Sequence, residues 1–155
     1  MTAILAVRDG RRVLFGSDRA MDGEWLRGQC GPKTLSIGPW RVAAAGAIGG
    51  HWESLSDRDP PPTVSALLML LGPGPDAEVL IGRGSKVWSA WYQAEEKRWA
   101  ASEVKGPSAI GSGACAALGA FLAGQGTVKQ RVQRALRIAA KITPGVAGPF
   151  DLVWT

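Results

Sequence analysis

The feature that most limits how this 155-residue chain can fold lies at its front. In "MTAILAVRDGRRVLFGSD" only Met1 and Thr2 precede the apolar run Ala3-Ile4-Leu5-Ala6-Val7. A second apolar run, Val13-Leu14-Phe15, follows the dipeptide Asp9-Gly10. Asp-Gly between two such runs is a hairpin signal, because a type I′ turn needs positive φ at both central positions. The reading is of a strand that enters the core almost at once and then returns. Residues at the front of a chain are ordinarily loose. Burying these would hold a hydroxyl residue, Thr2, at the front edge of a sheet.

The remaining segments follow a matching pattern. "DGEWLRGQCGPK" reads as a Gly-rich connection, and "TLSIGPWRVAAAGA" as a second hairpin turning at Gly38-Pro39. "GAIGGHWESLSD" predicts a short helix ended by Pro60, Pro61 and Pro62, since proline lacks the amide a helix needs. "TVSALLMLLG" predicts a compact helix stopped by "GPGP", while "AEVLIGRGSKVWSAWYQ" and "KRWAASEV" read as strands. "SAIGSGACAALGAFLAG" is a strand end, a glycine turn and a helix. "TVKQRVQRALRIAAK" is a further helix, with Thr127 suited to its N-cap. Its apolar stripe is Val128, Val132, Leu136 and Ala139. "ITPGVAGPF" reads as a loop and "DLVWT" as a final strand. Strands grouped in hairpins with helices between them fit antiparallel sheets layered with helices. The whole chain, 1–155, reads as one domain, with no G-x-G-x-x-G or Walker sequence to indicate a nucleotide site.

Composition narrows the classes. An apolar fraction of 46% with 20% charged residues is that of a globular chain. The longest apolar run, around "VSALLMLLG", is too short to span a membrane. Arg8, Asp9, Arg11 and Arg12 arrive before any signal-peptide core develops. The expectation is a cytoplasmic protein of a prokaryote or a virus. Cys30 and Cys115 are the two cysteines and read as free thiols, Cys115 packed within its helix. His51 is the one histidine and reads as structural, so no metal set is expected. The net charge is +5, with Lys129, Arg131, Arg134, Arg137 and Lys141 spread over one helix. That reads as a solvated basic face. Nucleic acid is not the expected partner, because neither a recognised binding fold nor stacking aromatics accompany the charge. The seven tryptophans follow no stripe and suit cores and subunit contacts.

Three stretches, taken in order, resemble a known family. "TAILAVRDGRRVLFGSD" carries a threonine and an aspartate sixteen residues apart. "GPKTLSIGPWRVAAAGAIGG" is a lysine followed by a hairpin and a glycine-containing turn. "AIGSGACAALGAFLA" is a strand ending in Gly-Ser-Gly before a small-residue helix. Together they resemble the proteasome β-type N-terminal nucleophile hydrolases, and most of all the bacterial HslV peptidases, over nearly the whole chain. The resemblance implies an α+β fold: a four-layer αββα sandwich of two antiparallel sheets between helices. The central helices are expected to be short, because the region from His51 to Asp76 is abbreviated and broken by prolines.

The same resemblance implies a threonine peptidase that cleaves unfolded polypeptides. It would act within a homo-oligomeric ring, hexameric or heptameric, single or doubled, with an ATP-dependent unfoldase as partner and no cofactor or metal. Thr2 would be the nucleophile, freed by removal of Met1, and its own α-amine the general base. A free α-amine has a pKa of about 7.7–8.0, in the range such a base needs. Lys33 would keep that amine neutral and polarise the hydroxyl, Asp18 would hold Lys33, and Ser112 would assist proton handling. Backbone amides at Gly46 and Ala47 would form the oxyanion hole. Read without the family, Asp18 is a turn residue, Lys33 a surface lysine and Ser112 a helix N-cap. Two departures stand out. The Asp18–Lys33 segment is one residue short, and "KITPGVAGPF" lacks the acidic residue that proteasome β subunits place near the site. A non-catalytic structural or assembly protein, viral for instance, is the alternative on the same fold.

Overall fold

The computed structural model describes residues 2–23, 26–29, 32–46, 52–74 and 76–155, with 20–23, 26–29 and 53 described by backbone alone. Two antiparallel sheets carry the fold. The first has the order β10-β1-β2-β11, from Ser108–Ile110, Ile4–Asp9, Arg12–Asp18 and Phe150–Trp154. The second has the order β5-β6-β7-β8-β9, from Thr34–Ile37, Trp40–Ala45, Glu78–Arg83, Lys86–Gln93 and Arg98–Val104. The helices are α1 (Val64–Leu71), α2 (Ala114–Ala123) and α3 (Val128–Ile142).

Alternation of side chains along the strands builds three apolar layers. Ile4, Ala6, Val13 and Phe15 point one way and meet Ala43, Ala45, Leu80 and Val87 between the sheets. Ala3, Leu5, Val7 and Leu14 point the other way, against Phe121 of α2 and Val132, Leu136 and Ala139 of α3. On the far side, Val42, Val79 and Ile81 are covered by Leu67, Leu68 and Leu71 of α1. With both faces of each sheet covered, the central strands can be continuously apolar, which is why Ala3–Val7 shows no polar alternation. The arrangement is the expected αββα sandwich, and the helix layer formed by α1 is indeed short, at 8 residues.

Glycine sets the hairpins. Asp9 pairs with Arg12, so the first turn is Gly10-Arg11 and not Asp9-Gly10. Positive φ occurs there at Gly10 alone (+59°), the pattern of a type II′ turn and not the expected type I′. Gly38-Pro39 and Gly84-Ser85 repeat it, with φ of +54° and +58° at the glycine. Two paired strands, β3 (Ala20–Gly23) and β4 (Leu26–Gln29), begin just ahead of the stretch read as a Gly-rich connection and run into it. The expected short helix after residue 50 is a 3₁₀ turn at Glu53–Asp57.

Thr127 caps α3 as expected, with Gln130 completing a capping box. The guanidinium of Arg131 donates to the Phe121 carbonyl and lies over the Phe121 ring, closing the end of α2. Cys115, expected to pack, is exposed, because α2 turns Ala117 and Phe121 inward and leaves Cys115 on the far face. Trp40 is buried and donates to the Pro61 carbonyl, whereas Trp91 is exposed. Trp25, Cys30 and His51 lie outside the described residues. Among the described residues no helix is long and apolar enough to cross a membrane, and no group of His, Cys, Asp and Glu is placed to hold a metal.

Candidate active site

Thr2 stands just ahead of β1 and is held from three directions. The Lys33 ammonium donates to Thr2 Oγ1 at 2.9 Å. The backbone nitrogen of Thr2 donates to Ser112 Oγ at 3.2 Å. The Thr2 carbonyl accepts the Gly113 N–H at 3.0 Å. All three contacts join residues far apart in sequence, brought together by two strand pairings. β10 lies beside β1 with Ile4 opposite Ile110, which delivers the Gly111-Ser112-Gly113 turn to Thr2. Lys33 leads into β5 of the other sheet, where its carbonyl accepts the Ala44 N–H at 3.2 Å.

Asp18 ends β2 and is fully buried. Its Oδ1 accepts both the Ala3 N–H at 2.8 Å and Lys33 Nζ at 2.9 Å. The lysine side chain is only 10% exposed. The surface reading of Lys33 and the turn reading of Asp18 are therefore both corrected: the two form a largely buried ion pair. Such a pair gains from charge attraction only when the geometry is good, and its loss on one side leaves an uncompensated charge. Ser112 is not the helix N-cap either. That position is Gly113, with no side-chain cap, and the Ser112 hydroxyl is turned to Thr2.

The glycines of the turn have steric reasons. Gly111 has φ of +87°, and a Cβ there would lie 2.4 Å from the Thr2 carbonyl oxygen. Gly113 would bring a Cβ to 2.7 Å from that of Ala3. On the opposite sheet, Gly46 follows β6 with φ of +90° and sits flush against the Asp76 carbonyl, 2.3 Å from where its Cβ would be. Its partner in the expected oxyanion hole, Ala47, lies outside the described residues.

Thr2, Asp18, Lys33 and Ser112 thus form one hydrogen-bonded cluster at the end of the sandwich, next to the strand end that leads into Gly46. No protein-family model and no curated protein matches the chain by sequence. Solved structures match by shape. BPH of Thiobacillus denitrificans superposes with a TM-score of 0.78 at 16% identity, covering 99% of this chain and 97% of that one. BPH in complex with epoxomicin gives 0.77 at 17%, covering 99% and 98%. HslV from Trypanosoma brucei gives 0.72 at 20%, again covering 99% and 98%.

The chain has the HslV/proteasome-like fold. The likeness spans both sheets and all three helices, so the front hairpin and the Gly-Ser-Gly turn of this HslV-like fold sit within a shared frame.

Some members of the site carry no local sequence signal. Glu78 Oε2 accepts the Gly111 N–H at 3.0 Å from the other sheet, 33 residues away in sequence. Arg19 makes a two-pronged pair with Asp151, both contacts at 2.7 Å, tying the end of β2 to the start of β11. Asp151 lies just beyond the "ITPGVAGPF" loop, which itself holds no acidic residue. Ser17, beside Asp18, is fully buried, and its Oγ has no hydrogen-bond partner among the described residues.

Proposed function

We propose that this protein is a threonine peptidase of the HslV and proteasome-like type, with Thr2 as its nucleophile. The observation that carries the reading is the pair of contacts on one residue: Lys33 Nζ on Thr2 Oγ1 at 2.9 Å and Ser112 Oγ on Thr2 N at 3.2 Å. These contacts put a cation on the hydroxyl and a second hydroxyl on the main-chain nitrogen of one residue, the two groups that an N-terminal nucleophile uses. Ser112 is exposed, which leaves room for a peptide to approach on its side of the turn.

Removal of Met1 frees the Thr2 α-amine. Thr2 Oγ1 then attacks the carbonyl carbon of a peptide bond, and the amine takes the hydroxyl proton directly or through a water. Lys33 lowers the cost of the developing alkoxide, and Asp18 keeps Lys33 in place. Backbone amides at Gly46 and Ala47 receive the oxyanion. The C–N bond breaks, the proton passes to the leaving amine, and an ester on Thr2 remains. Water, activated by the same amine, hydrolyses that ester and restores the hydroxyl. Ser112 relays protons at the amine.

Self-assembly into a hexameric or heptameric ring belongs to the same reading, since an unconfined subunit would cleave indiscriminately. The substrate is unfolded polypeptide in the cytoplasm, delivered by an ATP-dependent unfoldase. Hydrolysis of a fluorogenic peptide, together with the intact mass of the protein before and after incubation with epoxomicin, tests the proposal. The expected result is turnover and one inhibitor added per chain, both lost in Thr2→Ala. A protein freed of Met1 that shows neither contradicts it. The alternative is a non-catalytic assembly protein on the same fold.

A further inference from the structure

We propose that Glu78 is a positioning residue for the nucleophile: its carboxylate reaches across from the second sheet and holds the turn that grips Thr2. The proposal rests on the reading of Thr2 as the nucleophile and adds to it a residue that acts through the backbone.

All three residues of the turn touch Thr2. Gly111 lies flush against the Thr2 carbonyl, Ser112 Oγ meets Thr2 N, and the Gly113 N–H donates to the Thr2 oxygen. The strand that leads into this turn, β10, is three residues long and lies at the edge of its sheet, paired among the described residues with β1 alone. A short edge strand holds its outer end weakly. Glu78 supplies a tie from the other sheet, accepting the Gly111 N–H at 3.0 Å.

The place of Glu78 in its own sheet gives the tie a second consequence. Glu78 is opposite Ala45 in the β6–β7 ladder, one residue before Gly46. Two residues earlier, the Asp76 carbonyl packs against Gly46, with Asp76 itself at φ of +61°. The segment Asp76-Ala77-Glu78 therefore touches both halves of the site. Its main chain backs Gly46, and its terminal carboxylate holds Gly111. It sets the spacing between the nucleophile's turn and the strand end proposed to receive the oxyanion. Misplacement of about 1 Å in such a site can cost on the order of 10²-fold in rate.

The bond to Gly111 needs an acceptor at the right reach and does not need a charge. Gln offers a carbonyl oxygen at the same distance along the side chain, Asp stops one methylene short, and Ala offers nothing. Glu78 is exposed, so none of the three changes disturbs the core.

The test uses the Met1-free protein and reads kcat, KM and the exchange rate of the Gly111 amide in wild type, Glu78→Ala, Glu78→Asp and Glu78→Gln. Glu78→Ala and Glu78→Asp are expected to lower kcat by about 10-fold or more, within the range for a misplaced group, with KM nearly unchanged. Glu78→Gln is expected to restore most of kcat. The Gly111 amide is expected to exchange slowly in wild type and Glu78→Gln and fast in the other two. Full kcat in Glu78→Ala, or Glu78→Gln as impaired as Glu78→Ala, overturns the proposal. If the wild type hydrolyses no peptide, the peptidase reading has failed. The exchange data then judge the tie alone, and a Gly111 amide equally protected in Glu78→Ala overturns it.

Discussion

Asp18 and Ala3 bind each other twice: Asp18 Oδ1 accepts the Ala3 N–H at 2.8 Å, and the Asp18 N–H donates to the Ala3 carbonyl at 3.2 Å. The peptide that follows Thr2 is thereby fixed by a residue on the neighbouring strand. The same carboxylate oxygen takes the Lys33 ammonium at 2.9 Å. One buried atom thus places both the main chain behind the proposed nucleophile and the cation in front of it. Position and charge at Thr2 are set together, and variants of the pair test them together.

Lys33→Met removes the cation and leaves a fully buried carboxylate, a change that typically costs about 3–5 kcal/mol. Asp18→Asn with Lys33→Met removes both charges and keeps a side-chain oxygen for the Ala3 N–H. Urea unfolding is expected to show the double variant close to wild type and well above Lys33→Met. Peptide hydrolysis is expected to be absent in both. Additive losses of stability would mean that the two groups are not coupled.

Gly111→Ala and Gly10→Ala place the same methyl group at two positive-φ sites, +87° and +59°. Around Gly10 nothing lies within 4 Å, so that variant bears the conformational strain alone, about 1–2 kcal/mol. At Gly111 the methyl meets the Thr2 carbonyl at 2.4 Å. A further 1–3 kcal/mol, roughly, of overpacking is expected there, together with loss of hydrolysis. Gly10→Ala is expected to keep kcat. Equal kcat values in the two variants would show that the turn does not set the nucleophile.

Ser17→Ala deletes a hydroxyl that is buried without a partner among the described residues. Removing an unsatisfied buried polar group is neutral or stabilising, so a gain of up to about 1 kcal/mol is expected by denaturant unfolding. A loss of more than that amount would mean the hydroxyl is engaged in the protein in solution.

The legible parts of this molecule are those whose cause is local. The runs Ala3–Val7 and Val13–Phe15, the Gly38-Pro39 turn and the Thr127 cap each depend on a few adjacent residues, and each is found where the sequence places it. The first turn was displaced by one residue because Gly10 alone satisfies the positive φ that Asp9-Gly10 was expected to share. β3 and β4 carry no sequence signal, because residues 20–29 have neither alternation nor a branched-residue run, and the two strands pair with each other. In the site, the residues of Thr2, Asp18, Lys33 and Ser112 were legible only through the order of three separated stretches. Glu78 and the Arg19–Asp151 pair were not legible at all, since their partners lie 33 and 132 residues away and no local pattern marks them.

The Thr2 hydroxyl and the Thr2 amine can be separated by variants. Thr2→Ala removes the hydroxyl and is expected to stay folded and inactive, because its side chain lies at the edge of the core and Ala3 begins the buried run. Thr2→Ser keeps both groups and is expected to keep part of the rate.

The most direct measurement compares the rate of fluorogenic-peptide hydrolysis by two forms of the unmodified sequence, matched in assembly and concentration: one with Met1 removed and one with Met1 retained. Retention leaves the hydroxyl in place but turns the amine into an amide that cannot accept a proton at neutral pH. The account predicts turnover in the first form and none above the Thr2→Ala background in the second; equal rates in the two forms would contradict it.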